Sequence, residues 1–102
     1  MAFVRAAKVS EVLPGRTKIV EVGDEDVALC NVDGEIYAIA NVCTHDDGPL
    51  GQGYLDGDEI ECPRHGARFD VRSGEVRNLP AIVPVPTFEV EIDGDDILVA
   101  VD

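Results

Sequence analysis

The chain has 102 residues, 45% of them hydrophobic, and its 21 Asp and Glu against 8 Lys and Arg give a formal net charge of −13 at pH 7. A chain of this size and composition forms one globular domain with a modest hydrophobic core. So much negative charge disfavours binding to nucleic acid or to an anionic membrane surface, and it suits solubility or a partner with a basic patch.

Short β-branched runs, broken by Gly, Asp and Pro, follow one another along the chain, and no apolar stripe has helical spacing. This pattern predicts an all-β fold. One short helical turn is expected over residues 10–13, ahead of Pro14-Gly15. The predicted strands are Phe3–Ala7, Thr17–Val22, Val27–Val32, Glu35–Val42, Glu59–Cys62, Ala67–Val71, Thr87–Asp93 and Ile97–Val101.

The Asp33-Gly34 pair predicts a tight hairpin between two of these strands. Asp-Gly supplies the positive φ angles of a type I′ turn, which matches the twist of paired strands. Because apolar residues flank the pair on both sides, we expect strands Val27–Val32 and Glu35–Val42 to lie centrally in a sheet. In Thr87–Asp93 apolar and acidic residues alternate, which is typical of a strand with one face in solvent.

Two of the three cysteines and both histidines fall in a loop-like region, residues 43–69, where Gly, Pro and Asp replace β-branched residues. Their order is Cys43-Thr44-His45, then sixteen residues, then Cys62-Pro63-Arg64-His65. Side chains two apart in an extended segment lie on the same side, so Cys43 and His45 can reach one ligand. Each loop thus offers one thiolate and one imidazole.

Two sulfur and two nitrogen ligands suit more than one kind of site. A single tetrahedral zinc accepts this set, but structural zinc sites usually separate the paired cysteines from the paired histidines. A binuclear centre in which one iron takes both cysteines and the other takes both histidines matches the repeated mixed pair. A Cys–His nucleophile pair is a third interpretation, although its second copy would have no role. The spacing favours the iron–sulfur centre.

At these residues the chain resembles the Rieske family, and the companions Gly48-Pro49-Leu50, Gly66 and Pro80-Ala81 agree with it. The resemblance covers essentially the whole chain. It implies a Rieske-like antiparallel β-sandwich, one domain over residues 1–102, with a small cluster-binding subdomain of two loops at about residues 43–70. It also implies one [2Fe–2S] cluster, with the inner iron on Cys43 and Cys62 and the outer iron on His45 and His65 at the surface.

Within the family the chain looks like the small soluble ferredoxins that feed electrons to bacterial ring-hydroxylating oxygenases. That likeness implies a one-electron carrier between an NAD(P)H-dependent flavin reductase and a terminal oxygenase, a monomer with no catalytic residues of its own. An alternative is a small Rieske subunit permanently bound to a larger oxidoreductase such as nitrite reductase. Met1-Ala2-Phe3 leads directly into strand-like sequence and the cysteines are odd in number, so we expect the cytoplasm rather than export.

Several neighbouring residues are expected to pack rather than react. Cys30 lies among apolar residues of a central strand and is interpreted as a core residue. Leu50, Phe69 and Leu79 are expected to pack around the cluster and exclude water. The Pro80 segment resembles a third family loop that covers the cluster.

Four charged residues lie beside the histidines. Asp46 and Asp47 follow His45, so they are expected near the electron exit, either setting docking preference or forming a solvated loop tip. Arg64 and Arg68 flank His65, where they either help a partner dock or screen local repulsion.

The same loops suggest how the cluster is tuned. High-potential Rieske proteins of respiratory complexes carry two loop cysteines that form a disulfide, and Ser and Tyr hydroxyls aimed at cluster sulfurs. The corresponding positions in this chain are Gly48, Arg64, Ala67 and Phe69. Without the disulfide, we expect bound iron alone to hold the two loops together.

The missing hydroxyl donors predict a low reduction potential, because backbone N–H groups alone then stabilise the added negative charge. A redox titration should give a midpoint near the low end of the Rieske range, about −150 mV rather than +300 mV. A strongly positive midpoint would contradict this tuning, though not the presence of the cluster.

Overall fold

The computed structural model describes residues 2–102, and over that range it contains three antiparallel sheets, one 3₁₀ turn and no α-helix. The predicted all-β class is therefore confirmed. The strands in chain order are β1 (Ala2–Lys8), β2 (Thr17–Val22), β3 (Glu25–Val32), β4 (Glu35–Ala40), β5 (Tyr54–Asp56), β6 (Glu59–Glu61), β7 (Arg68–Asp70), β8 (Val76–Asn78), β9 (Thr87–Phe88), β10 (Val90–Asp93) and β11 (Asp96–Val101).

The first two sheets form the body of the molecule. One has the order β1-β11-β10 and the other the order β2-β3-β4-β9. The 3₁₀ turn Val9–Glu11 overlaps the predicted helical turn and leads from the first sheet to the second. The hairpin prediction is confirmed, since Asp33 has a φ of 52° and Gly34 a φ of 96° between the paired β3 and β4. Both strands lie inside the sheet, as expected.

The third sheet has the order β5-β6-β7-β8 and carries the small subdomain. The strands predicted from the sequence include β6 and β7 but not β5 and β8. Each of those two strands has only three residues and borders a Gly- or Asp-rich turn, so neither has a periodic pattern to detect. Pairing with a neighbouring strand, rather than local propensity, makes them strands.

The single strand predicted over Thr87–Asp93 is wrong, because the chain changes sheets within it. Phe88 in β9 pairs with β4, whereas Val90 in β10 pairs with β11. Between them the carbonyl of Glu89 accepts a hydrogen bond from Ala100 N–H at 3.0 Å. The alternation of apolar and acidic residues continues through the change of partner, so it does not reveal where the strand divides.

The central strand β3 is buried on both faces and separates two hydrophobic clusters. Val27 and Leu29 belong to the cluster between the two large sheets, and Ala28 and Cys30 belong to the cluster that includes the small subdomain. This explains the continuous apolar run in β3. It also confirms Cys30 as a core residue, and burial raises the pKa of its thiol to about 12.

Over residues 2–102, no helix has the length and apolar character needed to cross a membrane.

The two isoleucines that face each other across β10 and β11 provide a test of this core. Ile97 is fully buried, whereas its partner Ile92 is 48% exposed. We expect Ile97→Ala to lower the free energy of unfolding by about 2–5 kcal/mol. Ile92→Ala should cost about 1 kcal/mol or less, because its apolar area is half in water already. Denaturant unfolding followed by far-UV circular dichroism measures both, and equal losses would contradict the assigned burial.

Candidate metal centre

Loop 1, residues 43–50, follows β4 and folds back on its own first residue. Asp47 N–H donates to the Cys43 carbonyl at 2.7 Å, and Cys43 N–H donates to the Gly48 carbonyl at 2.8 Å. Leu50 ends the loop as a fully buried side chain. These contacts fix where the first cysteine and histidine emerge.

Loop 2, residues 62–67, joins β6 to β7 and is built in the same way. Cys62 N–H donates to the Ala67 carbonyl at 2.7 Å, and Gly66 N–H donates to the Cys62 carbonyl at 3.1 Å. Gly66 has a φ of +76°, a left-handed conformation that glycine adopts without strain. The two loops therefore present Cys62 and Cys43 from equivalent tight turns.

The two cysteines lie together inside the protein. Cys43 and Cys62 are fully buried and unbonded, and their sulfur atoms lie within 4.8 Å of each other and of a carboxylate oxygen of Asp46. Burial raises the pKa of the Cys43 thiol, although the backbone N–H groups of His45 and Asp46 favour its thiolate. Because metal ions bind the thiolate form of cysteine, a metal held by these residues would require that the proton leave.

The two histidines lie together at the surface. The ring centroids of His45 and His65 are 5.0 Å apart with the rings at 89°, so one ring edge faces the other ring. The His65 side chain is 51% exposed, and its Nδ1 lies 3.4 Å from Asp46 Oδ2. Two imidazoles at the surface and two thiols beneath form a donor set with two unlike ends, which suits a binuclear iron–sulfur centre better than one tetrahedral ion.

A third segment, residues 79–86 or loop 3, is hydrogen-bonded to loop 1, and Asn78, the last residue of β8 before it, is hydrogen-bonded to loop 2. Thr44 Oγ1 donates to the Val83 carbonyl at 2.6 Å, and Asn78 Nδ2 donates to the Gly66 carbonyl at 3.0 Å. Ala81, between these two contacts, is fully buried in the same cluster as both cysteines. Loop 3 therefore contributes to the hydrophobic core that holds the sulfur atoms.

The packing role expected of Leu50 and Phe69 is confirmed, since both are fully buried in the cluster that holds the cysteines. The same expectation is wrong for Leu79, which is 70% exposed. Ala81, two residues later, occupies the inward position instead. The sequence does not single out Ile82 and Val83, which are 81% and 53% exposed. Their only signal was an apolar pair in a loop, which normally indicates burial.

The guanidinium of Arg64, although partly exposed, binds loop 1. Its Nε donates to Asp46 Oδ2 at 2.6 Å, its Nη2 to Asp46 Oδ1 at 3.2 Å and its Nη1 to the Pro49 carbonyl at 3.1 Å. The hydrogen bond from Arg64, and after it one from Gly48 N–H, holds the pKa of the Asp46 carboxyl well below its usual range. Expecting iron alone to hold the loops together was therefore wrong, because these side chains join them as well.

Arg68 is likewise engaged within the protein. Its guanidinium lies 3.1 Å from Asp56, 3.4 Å from Glu59 and 3.0 Å from Glu61. Of the two acidic residues after His45, only Asp47 is exposed at the loop tip. The screening interpretation fits both arginines better than the docking interpretation.

Comparisons with known proteins agree with this geometry. The family model for the Rieske [2Fe-2S] domain matches residues 2–89. The ferredoxin component of biphenyl 2,3-dioxygenase from Rhodococcus jostii is 42% identical over 99 residues, covering 97% of this chain and 92% of that protein.

Two solved structures share the fold closely. The ferredoxin of carbazole 1,9a-dioxygenase from Nocardioides aromaticivorans has a TM-score of 0.93 at 37% identity, covering 98% of each chain. A chain in a complex of reduced oxygenase and oxidized ferredoxin of carbazole 1,9a-dioxygenase has a TM-score of 0.90 at 37% identity, covering 96% of this chain and 92% of that one. With paired buried thiols, paired surface imidazoles and a family match over most of its length, the chain belongs to the Rieske [2Fe–2S] domain family.

Proposed function

We propose that this protein is a one-electron carrier of a ring-hydroxylating oxygenase system, taking electrons from an NAD(P)H-dependent flavin reductase and passing them to a terminal oxygenase. The observation that carries this proposal is the division of the site into buried thiols and exposed imidazoles. The relatives that match it over nearly their whole length are named as ferredoxin components of dioxygenase systems. Such a component transfers electrons and leaves the chemistry on substrate to its partners.

The proposed ligands are Cys43 and Cys62 for the inner iron, and His45 and His65 for the outer iron. A bound Rieske cluster supplies a one-electron couple whose potential depends on ligand charge and on hydrogen bonds to sulfur. The burial of both cysteines supports their assignment to the inner end, and the exposed ring of His65 supports assignment of the histidines to the outer end.

The chain's own contribution is to separate the two ends of the site by solvent access. Leu50, Phe69 and Ala81 are fully buried around the cysteines and keep water from the sulfur atoms. The histidines, one on each loop, are exposed at the surface. Electron transfer to a partner would therefore proceed from the imidazole side, where the distance to a docked protein is shortest.

Exposed apolar side chains border that side, and we name Leu79, Ile82 and Val83 the apolar rim. Loop 3 carries all three residues. Its Val83 carbonyl accepts a hydrogen bond from Thr44, next to His45, and Asn78, just before the loop, donates one to Gly66, next to His65. Adjacent exposed apolar residues of this kind mark protein contact sites. The apolar rim is our proposed contact surface for the terminal oxygenase.

We further infer that residues 1–102 act as a single domain and that the protein works as a monomer in the cytoplasm. Its formal charge of −13 keeps copies of the chain apart and disfavours nucleic acid or membranes as partners. Size-exclusion chromatography of native extracts separates a diffusing carrier of this kind from a subunit fixed in a larger oxidoreductase.

The ligand assignment predicts that Cys43→Ser and Cys62→Ser remove the cluster, because a serine hydroxyl does not replace an iron-bound thiolate. Both variants should be colourless and free of inorganic sulfide, as measured by visible absorbance and elemental analysis. Cys30→Ala is the matched control, since Cys30 is buried in the same hydrophobic cluster but has no proposed iron. Full colour in a Cys43 or Cys62 variant, or loss of colour only in the Cys30 variant, would overturn the assignment.

The proposed function is tested with the purified, cluster-loaded protein placed between the reductase and the terminal oxygenase of a biphenyl dioxygenase system. We expect NADH-driven reduction of the oxygenase only when this protein is present, with one electron stored per pair of irons. A protein that holds two irons but neither accepts nor passes an electron would refute the carrier role.

The same assay tests the apolar rim. Ile82→Glu should slow electron transfer to the oxygenase at least about fivefold, because a charge replaces an apolar contact at the docking surface. The visible and EPR spectra should not change. Ile92→Glu makes the same substitution at an exposed isoleucine of β10, in the three-stranded sheet, and should transfer electrons at the wild-type rate. Equal rates for both variants would remove the rim from the docking surface.

A further inference from the structure

We propose that Arg64 and Asp46 form a non-covalent clamp that holds loop 1 and loop 2 at the spacing the cluster requires, which makes Arg64 a positioning residue for the cluster. The inference deepens the proposed function and rests on its ligand set. The clamp consists of the Arg64 guanidinium, the Asp46 carboxylate and the Pro49 carbonyl.

The contacts join one loop to two points on the other. The guanidinium binds both Asp46 oxygens, at 2.6 and 3.2 Å, and reaches the Pro49 carbonyl at 3.1 Å. The side chains of Arg64 and Asp46 are 32% and 20% exposed, so the pair is partly shielded from water. A bidentate arginine–carboxylate pair fixes orientation as well as distance, and lysine does not reproduce it.

Loop 1 is shaped to receive the guanidinium. A Cβ atom on Gly48 would lie 2.5 Å from Arg64 Cζ, so only glycine leaves the guanidinium in place. The Gly48 N–H donates to Asp46 Oδ1 at 3.0 Å and holds the carboxylate toward the arginine. Two separate features of loop 1, a missing side chain and an oriented carboxylate, thus fit the same residue of loop 2.

The clamp touches the proposed ligands directly. Asp46 follows His45 in the chain, and Arg64 precedes His65. Asp46 Oδ2 lies 3.4 Å from His65 Nδ1, and an oxygen of the same carboxylate lies within 4.8 Å of both cysteine sulfurs. A shift of Arg64 therefore changes the spacing between the ligands of the two loops, which an ordinary surface ion pair would leave unchanged.

The test compares cluster-loaded variants for the rate of iron loss to a strong chelator. Arg64→Leu should lose iron about tenfold faster than wild type, as for other residues that orient metal ligands. Gly48→Ala should also lose iron faster, although it keeps both charged residues, because the new Cβ displaces the guanidinium. In an Arg64→Leu background, Gly48→Ala should not increase the rate of iron loss further, because the guanidinium that it displaces is already absent.

Three further measurements separate positioning from general stability. Arg64→Lys should lose iron more slowly than Arg64→Leu but faster than wild type, since lysine restores the charge without the two parallel hydrogen bonds of the guanidinium. High salt should accelerate iron loss from wild type but not from Arg64→Leu. The EPR line shape should broaden in Arg64→Leu, because the histidines at the outer iron are less well fixed. Arg5→Leu removes an exposed ion pair of 2.9 Å in the three-stranded sheet and should match wild type throughout.

The outcomes distinguish the clamp from the function. Wild-type rates and spectra in both Arg64→Leu and Gly48→Ala would overturn the clamp while leaving the electron carrier intact. A wild-type protein that holds no cluster would overturn the proposed function itself. If Arg64→Leu binds no cluster at all, the rates of iron loss from Gly48→Ala and Arg64→Lys test the clamp instead. Additive effects of these two substitutions on the rate of iron loss would count against the clamp.

Discussion

The burial of two thiols in a hydrophobic core shared by two sheets is the constraint on which the rest of the structure depends. Cys43 and Cys62 are packed with Phe69 of the small sheet and with Cys30 of β3 in the body of the molecule. A domain of 102 residues buries only a limited share of its surface, so its hydrophobic core is small. Placing the sulfur atoms inside that core joins the order of the loops to the packing of the small sheet against β3 and β4.

The same packing produces two unlike ends within one small site. On the inner side, Ala67 and Phe69 lie fully buried where high-potential relatives of the family are expected to carry hydroxyl donors. Hydrocarbon there excludes water and offers the sulfurs no hydrogen bond beyond the backbone. On the outer side, the edge-to-face histidines stand in solvent. A buried redox centre with an exposed polar edge is the arrangement that lets a small protein store an electron and still pass it on at contact.

The net charge of the chain and the ion pairs around the site have different roles. The net negative charge of the chain acts over the whole surface, whereas the arginines around the site are paired within the protein. Arg64 and Gly48 occupy the positions that the resemblance aligns with the cross-linking cysteines of high-potential Rieske proteins, so an ion pair stands where those proteins have a covalent link. With these arginines engaged internally, the exposed apolar rim is the contact surface that we propose.

The amino-acid sequence by itself determined the features that depend on near neighbours in the chain. Alternation and turn residues located most strands, and Asp33-Gly34 fixed the central hairpin through its positive φ angles. Residue spacing predicted the ligand set Cys43, His45, Cys62 and His65. The fold brings the two sulfurs together and the two rings together, and the ligand set itself stays a prediction. Only the tertiary structure decided which partner each segment meets. It divided Thr87–Asp93 between two sheets, turned Ala81 inward and Leu79 outward, and placed Arg64 against Asp46 across 18 residues. Local periodicity does not reveal these outcomes, because each depends on which segments distant in the chain pack together in the core.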